Sequence, residues 1–323
     1  MRRSKQVMRS PTILLVLCFV IIVYDAVSNY SPSAYSQNQD FSFQAEVKAI
    51  DDTPTQKVKV GDIDIAYKQL GNESSNIPIV LIAGGGMTMD MWSPTLLKVL
   101  SSNQTVIIFD NRGAGESTGG TREFSINQFA SDTLALLDAL KIQKADILGY
   151  SMGSFISQEI ALMNPERVDR LVLYASSCGG RDAIPPSPEV MEAFVSDTNN
   201  SAPIQIEEIV SLLFPPNWLA ANPDYENYMP IPKESVSPQV LQLQSKAIMS
   251  WNGTCTELLN ITQPTLVIVG TEDIFTPAAN SLMIVDKIPS AWLVQIRNAG
   301  HGVMNQYPDQ FNKIISTFLQ TAN

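Results

Sequence analysis

The stretch that decides the fold reads Ala145-Asp146-Ile147-Leu148-Gly149-Tyr150-Ser151-Met152-Gly153-Ser154-Phe155-Ile156. Its first six residues form an apolar run of strand length, and residues 152–163 continue it as a helical pattern with no spacer between. Gly149-Tyr150-Ser151-Met152-Gly153 is a G-x-S-x-G sequence, and in this strand–turn–helix setting the serine sits on a sharp, strained turn. Such a turn lifts the hydroxyl above the carboxyl edge of the sheet and needs small neighbours, which the two glycines supply. It also aims the Met152 N–H, in the first turn of the helix, at the place where an oxyanion would form. Ser151 is thus a candidate nucleophile.

Outward from this motif, short β-rich runs alternate with helical patterns. Residues 78–83, 105–110, 145–150, 168–176, 264–270 and 292–297 read as buried strands, and 57–60 with 63–70 as an opening antiparallel hairpin around Gly61-Asp62. Helical patterns occupy 125–140, 152–163, 277–287 and 308–319. In the first of these Ile126, Phe129, Leu134, Leu137 and Leu140 share a stripe, with Asn127 and Asp132 facing out. The alternation predicts an α/β fold built on a mostly parallel eight-stranded sheet with helices on both faces.

One interval breaks the rhythm. Residues 178–261 hold no good strand but have helical patches at 189–195, 206–214 and 239–251, separated by prolines. They predict a helical cap inserted after the sixth strand, between core segments 56–177 and 262–323. Met191, Phe194, Leu212, Leu213, Phe214, Trp218, Met229 and Trp251 give this insertion more apolar bulk than a surface loop needs. Some of them pack the cap onto the sheet, and the rest predict an apolar acyl pocket above Ser151.

A serine hydroxyl needs a base to take its proton. The chain has one histidine, His301, in the loop Asn298-Ala299-Gly300-His301-Gly302 between the last strand and the last helix. That loop opens on the same sheet edge as Ser151. The acid that orients the imidazole is sought in Gly270-Thr271-Glu272-Asp273-Ile274-Phe275-Thr276-Pro277, where the spacing to Pro277 favours Asp273 over Glu272. The order Ser…Asp…His is that of the α/β-hydrolase arrangement. A second oxyanion donor is expected from Gly84-Gly85-Gly86, where bare backbone can approach a substrate.

Composition closes off other chemistries. One histidine and three cysteines leave no set of ligands for a zinc site, and no phosphate-loop or dinucleotide motif is present, so no cofactor is expected. The net charge is −11, of which residues 1–36 carry +3, leaving −14 on the body. So acidic a body repels nucleic acid. Residues 1–36 are basic, then apolar from 12 to 24, then polar, the layout of a secretory signal or of an uncleaved membrane anchor. Either reading places the body outside the cytoplasm, as a secreted or membrane-attached protein. Residues 37–55 then read as a linker. Cys178 and Cys255 stand where the cap leaves and rejoins the sheet, and the ends of such an insertion must come back near each other, so the two are expected either to form a disulfide or to pack as buried free thiols.

From about Val58 to Leu319 the chain resembles the α/β-hydrolase superfamily, in particular its prolyl-aminopeptidase, esterase and enol-lactonase branch. Besides the motifs above, Asp110-Asn111-Arg112-Gly113-Ala114-Gly115-Glu116-Ser117 is similar to that group's D-x-R-G-x-G-x-S loop, which implies a structural role for Asp110 and Arg112. The resemblance implies that the first-loop oxyanion donor is Gly85, although Ala83 stands where the family usually has histidine. A serine rather than an aspartate at the elbow speaks against the dehalogenase and epoxide-hydrolase branches. The lack of tryptophan there speaks against the prolyl aminopeptidases. The expected activity is hydrolysis of a small hydrophobic ester or lactone through an acyl-enzyme. An aminopeptidase, a cofactor-free perhydrolase and a non-catalytic ligand receptor on the same fold are the alternatives.

Overall fold

The computed structural model describes residues 41–71, 77–190, 206–225, 229–230, 232–289 and 291–321. Its strands are β1 (Gln56–Val60), β2 (Ile63–Leu70), β3 (Ile79–Ile82), β4 (Val106–Phe109), β5 (Ala145–Tyr150), β6 (Val168–Tyr174), β7 (Thr265–Gly270) and β8 (Ala291–Ile296). They form one sheet in the order β1-β2-β4-β3-β5-β6-β7-β8. β2 runs antiparallel to β1 and β4, and every other pairing is parallel. The hairpin and all six further strands expected from the sequence are present, but β8, expected as buried, is the edge strand of the sheet and buries only Ile296.

The helices are α1 (Phe41–Asp51), α2 (Pro94–Ser101), α3 (Ile126–Ala139), α4 (Met152–Met163), α5 (Ile206–Leu213), α6 (Pro216–Ala221), α7 (Pro238–Ser250), α8 (Ala278–Lys287), α9 (Val303–Gln306) and α10 (Pro308–Gln320). Alternation along the strands sorts the core into two layers. Val80, Ile82, Ile147, Leu171 and Val267 pack with residues of α3, α4 and α8, whereas Ile79, Leu81, Leu148, Val172 and Ile268 pack with residues of α2 and α10. Full burial of each such side chain contributes about 1.5–3 kcal/mol, so the central strands are held from both faces. This leaves their carboxyl ends as a firm rim for loops.

Two further expectations change. Asp132 does not face out: it is buried and takes two hydrogen bonds from the Arg112 guanidinium, Nε at 2.8 Å and Nη2 at 2.7 Å. Arg112 also reaches both carboxylate oxygens of Asp62, at 3.1 and 2.9 Å. A charge buried this deeply is tolerated because it is paired. The segment expected as a linker contains α1, tied down by Lys98–Glu46 at 2.6 Å and by Lys68 Nζ on the Ile50 carbonyl at 2.9 Å. The interval expected to hold no good strand forms none among its described residues and makes only one isolated antiparallel bridge, Ala114 with Val236.

The cap carries α5, α6 and α7, while most of the expected patch at 189–195 lies outside the described residues. Cys178 and Cys255 are bonded, with Cα atoms 4.9 Å apart, and Thr254 N–H donates to the Cys178 carbonyl at 2.7 Å. The two stems of the insertion are thereby fastened together. Residues 1–36, on which the signal or anchor expectation rests, lie outside the described residues; among those described, no helix is long and apolar enough to cross a membrane.

Candidate active site

β5 ends at Tyr150 and α4 begins at Met152, so Ser151 alone makes the turn. Its φ of 52° and ψ of −119° lie where a non-glycine residue is strained. The turn survives because its surroundings fix it: Ser151 N–H donates to the Tyr174 carbonyl at 3.0 Å, and Ser154 N–H returns to the Ser151 carbonyl at 2.8 Å. The glycines on either side are required by contact. A Cβ on Gly149 would lie 2.3 Å from the Gly153 carbonyl oxygen, and one on Gly153 would lie 1.9 Å from that of Ile82. Any larger residue would force α4 away from the sheet.

His301 and Asp273 meet at the ends of β8 and β7. His301 Nδ1 lies 3.0 and 2.9 Å from the two carboxylate oxygens of Asp273. The carboxylate is itself held by the N–H groups of Phe275 and Thr276, each at 2.9 Å, and by the Thr276 hydroxyl at 2.8 Å. With the His301 ring this makes four groups within hydrogen-bond distance of one buried carboxylate, which fixes its orientation toward the imidazole. Glu272, the competing acid, is exposed. The Nδ1 contact leaves Nε2 as the nitrogen free to exchange a proton.

Aromatic rings fix the imidazole from the sides. Tyr150 and Phe275 lie with ring centroids 5.1 and 4.8 Å from that of His301, and Tyr150 stacks on Tyr174 at 4.6 Å. The Tyr174 hydroxyl donates to the His301 carbonyl at 2.7 Å and accepts from the Met304 N–H at 3.2 Å. Burial holds both phenols well above the usual tyrosine range, so they stay neutral props. Sequence reasoning missed these props, because Tyr150 and Tyr174 read simply as strand residues.

Ser151 and His301 line one cavity of about 1010 Å³, together with Gly84, Gly85 and Gly86. Its walls include Leu213, Phe214, Met229 and Trp251 of the expected apolar set. Trp218 instead packs on Phe214 at 5.0 Å, and Met191 and Phe194 lie outside the described residues. The glycine loop sits beside the turn. A Cβ on Gly84 would meet Ser151 Cβ at 3.3 Å, and one on Gly85 would meet Met152 Cβ at 3.9 Å. Gly86 N–H is already engaged by Gln244 Oε1 at 2.8 Å, which sets Gly86 aside as an oxyanion donor. Asn111 Nδ2 donates to the Ala83 carbonyl at 3.2 Å, so the D-x-R-G loop braces the same segment.

The family profile described as alpha/beta hydrolase fold matches residues 77–218, and that described as TAP-like protein matches 251–323. A protein of Azorhizobium caulinodans named "Putative carbamate hydrolase RutD" is 26% identical over 265 residues, 80% of this chain and 96% of its own length. Among solved structures, an alpha/beta hydrolase fold protein from Chitinophaga pinensis has TM-score 0.71 at 27% identity, covering 84% of this chain and 98% of its own. Est816, described as an N-acyl homoserine lactone degrading enzyme, has TM-score 0.65 at 26% identity, covering 81% of this chain and all of its own. The chain belongs to the α/β-hydrolase superfamily and is a hydrolase of that fold.

Proposed function

We propose that the protein hydrolyses uncharged, hydrophobic carboxylic esters or lactones through an acyl-enzyme on Ser151. The observation that carries this reading is a strained serine and a carboxylate-held histidine opening into one apolar cavity. In the first half-reaction His301 Nε2 takes the Ser151 proton as Oγ bonds to the acyl carbon. The oxygen of that carbon becomes an anion between the N–H groups of Gly85 and Met152. The C–O bond to the leaving group then breaks, and His301 returns the proton to the departing alkoxide. Water repeats the sequence on the acyl-enzyme and releases the acid. Asp273 keeps the imidazole in the useful tautomer and stabilises it when charged, without itself taking a proton.

The cavity wall supports the choice of substrate. Among its described side chains the only carboxylate or permanent cation belongs to Asp182 or Arg181, both exposed. A charged substrate would find no buried partner, and desolvating it unpaired is unfavourable. The lactone-degrading activity named for Est816 and the carbamate named for the Azorhizobium protein set the outer arms of the test. In a panel of p-nitrophenyl esters of graded length, lactones, an aryl carbamate and amino-acid anilides, the highest kcat/KM is expected for C4–C8 esters or a lactone. A clear preference for the anilides, the carbamate or charged esters would overturn the assignment.

We also propose that the protein works outside the cytoplasm. The Cys178–Cys255 bond supports this, since such bonds persist in oxidising compartments. Cell fractionation with mass measurement of the native protein tests it; a reduced, full-length cytoplasmic protein would contradict it.

A further inference from the structure

We propose that Gln244, a residue of the cap, is the positioning residue that sets the oxyanion site by holding the glycine loop. This rests on the reading of Gly85 and Met152 as oxyanion donors. Gln244 stands in the middle of α7 and is 1% exposed. Its Oε1 accepts from the Gly86 N–H at 2.8 Å, and its Nε2 is buried with no partner among the described residues. Leaving an amide half-satisfied in a buried position is destabilising, and a methionine or leucine would fill the space without that penalty. What the glutamine supplies in exchange is one acceptor, delivered to one backbone N–H of the loop.

That N–H matters because of where it lies. It belongs to the peptide plane joining Gly85 to Gly86, directly after the plane that carries the Gly85 N–H. Three successive glycines have no Cβ to restrict them, so the orientation of these planes must come from outside contacts. Three contacts hold the segment elsewhere: Asn111 on the Ala83 carbonyl at 3.2 Å, Met89 N–H on Asp110 at 2.7 Å, and the turn bond of Met87 N–H on the Gly84 carbonyl at 3.3 Å, which belongs to the plane carrying the Gly85 N–H. None of them touches the Gly85–Gly86 plane. Gln244 does.

The arm that delivers it is stiff. At the amino end of α7 the Ser237 side chain caps Val240 N–H, and Val236 bridges to Ala114. Past its carboxyl end Trp251 Nε1 donates to the buried Glu159 at 2.6 Å, and the Cys178–Cys255 bond follows. The helix lies over the loop itself, since a Cβ on Gly85 would be 3.5 Å from Ile248 Cδ1. The cap is therefore coupled to the chemistry by one hydrogen bond, besides forming the wall of the cavity. A cap that shifts away takes the acceptor with it and frees the plane beside the oxyanion donor.

The test uses the full chain, p-nitrophenyl butyrate and a boronic acid as a mimic of the tetrahedral intermediate. Gln244→Met is expected to lower kcat about tenfold to a hundredfold, a fraction of the loss on deleting an oxyanion donor outright. KM should stay within about twofold, boronate affinity should fall in step with kcat/KM, and Gly86 amide exchange should quicken. Unchanged kcat and boronate affinity would overturn the inference, as would a loss confined to KM, which would make Gln244 only a wall residue. If Gln244→Met does not fold, Gln244→Leu, which also removes the acceptor, replaces it with the same readouts, and unchanged kcat and boronate affinity there would overturn the inference equally. Wild-type protein that neither turns over esters nor binds the boronate sinks the ester-hydrolase reading as well; an active wild type with an unaffected variant sinks this one alone.

Discussion

Ser151 is held in its strained conformation by the carbonyl of Tyr174 and by two glycines that admit no Cβ, so the reactivity proposed for it rests on its neighbours as much as on its hydroxyl. Ser151→Ala, His301→Ala and Asp273→Asn are each expected to lower ester kcat about 10⁴-fold or more while leaving the circular dichroism spectrum intact. The three groups act as one unit, so the triple variant should be little worse than the worst single one. Losses that multiply across the set would show that they act separately. These residues were legible in the sequence because each stands at a punctuation mark, a strand end followed by glycine, proline or a helix start. Gln244 was not. Amphipathic periodicity tells which face of a helix is buried, but not that one buried amide faces a distant glycine loop.

At the scale of elements, the strands and helices of the core were readable because burial on both faces forces unbroken apolar runs. Asp132 was misread for a related reason: a charge on a helix normally marks the solvent side, and only the buried Arg112 reverses it. The docking of the cap on the D-x-R-G loop was also hidden. There Gly115 N–H reaches the Ser235 carbonyl at 3.3 Å, and on the segment after the glycine loop Asp90 accepts backbone N–H groups of Lys233 and Glu234 at 2.5 and 3.2 Å. The Glu234 and Asp110 carboxyls share this joint. Burial, then the charges of Asp110, Asp90 and Glu116, push Glu234 up to about 8, and burial pushes Asp110 up to about 6. Both carboxyls hold protons more tightly folded than unfolded. Their joint is therefore most stable at low pH and weakens as pH rises from the unfolded carboxyl range through about 8. Glu234→Gln, which cannot ionise, should raise Tm at pH 8.5 and leave it nearly unchanged at pH 5. An equal shift at both values would place the effect elsewhere.

At the scale of the whole molecule, one sheet carries the chemistry on its carboxyl edge and one insertion covers it, with the disulfide tying the insertion's two stems. The cysteines are 77 residues apart, and closing a loop of that length restricts the unfolded chain by about 4 kcal/mol. Replacing both with serine should lower the urea midpoint accordingly, and an unchanged midpoint would mean that the stems are fixed by their hydrogen bonds alone. The central claim is that Ser151 at the floor of this covered cavity is the nucleophile. It is tested most directly by titrating the folded protein with a fluorophosphonate, mapping the adduct by mass spectrometry and following p-nitrophenyl butyrate turnover in the same samples. A single adduct is expected, on Ser151, with turnover lost in proportion to labelling. An adduct on another residue, or turnover that survives complete labelling of Ser151, would contradict it.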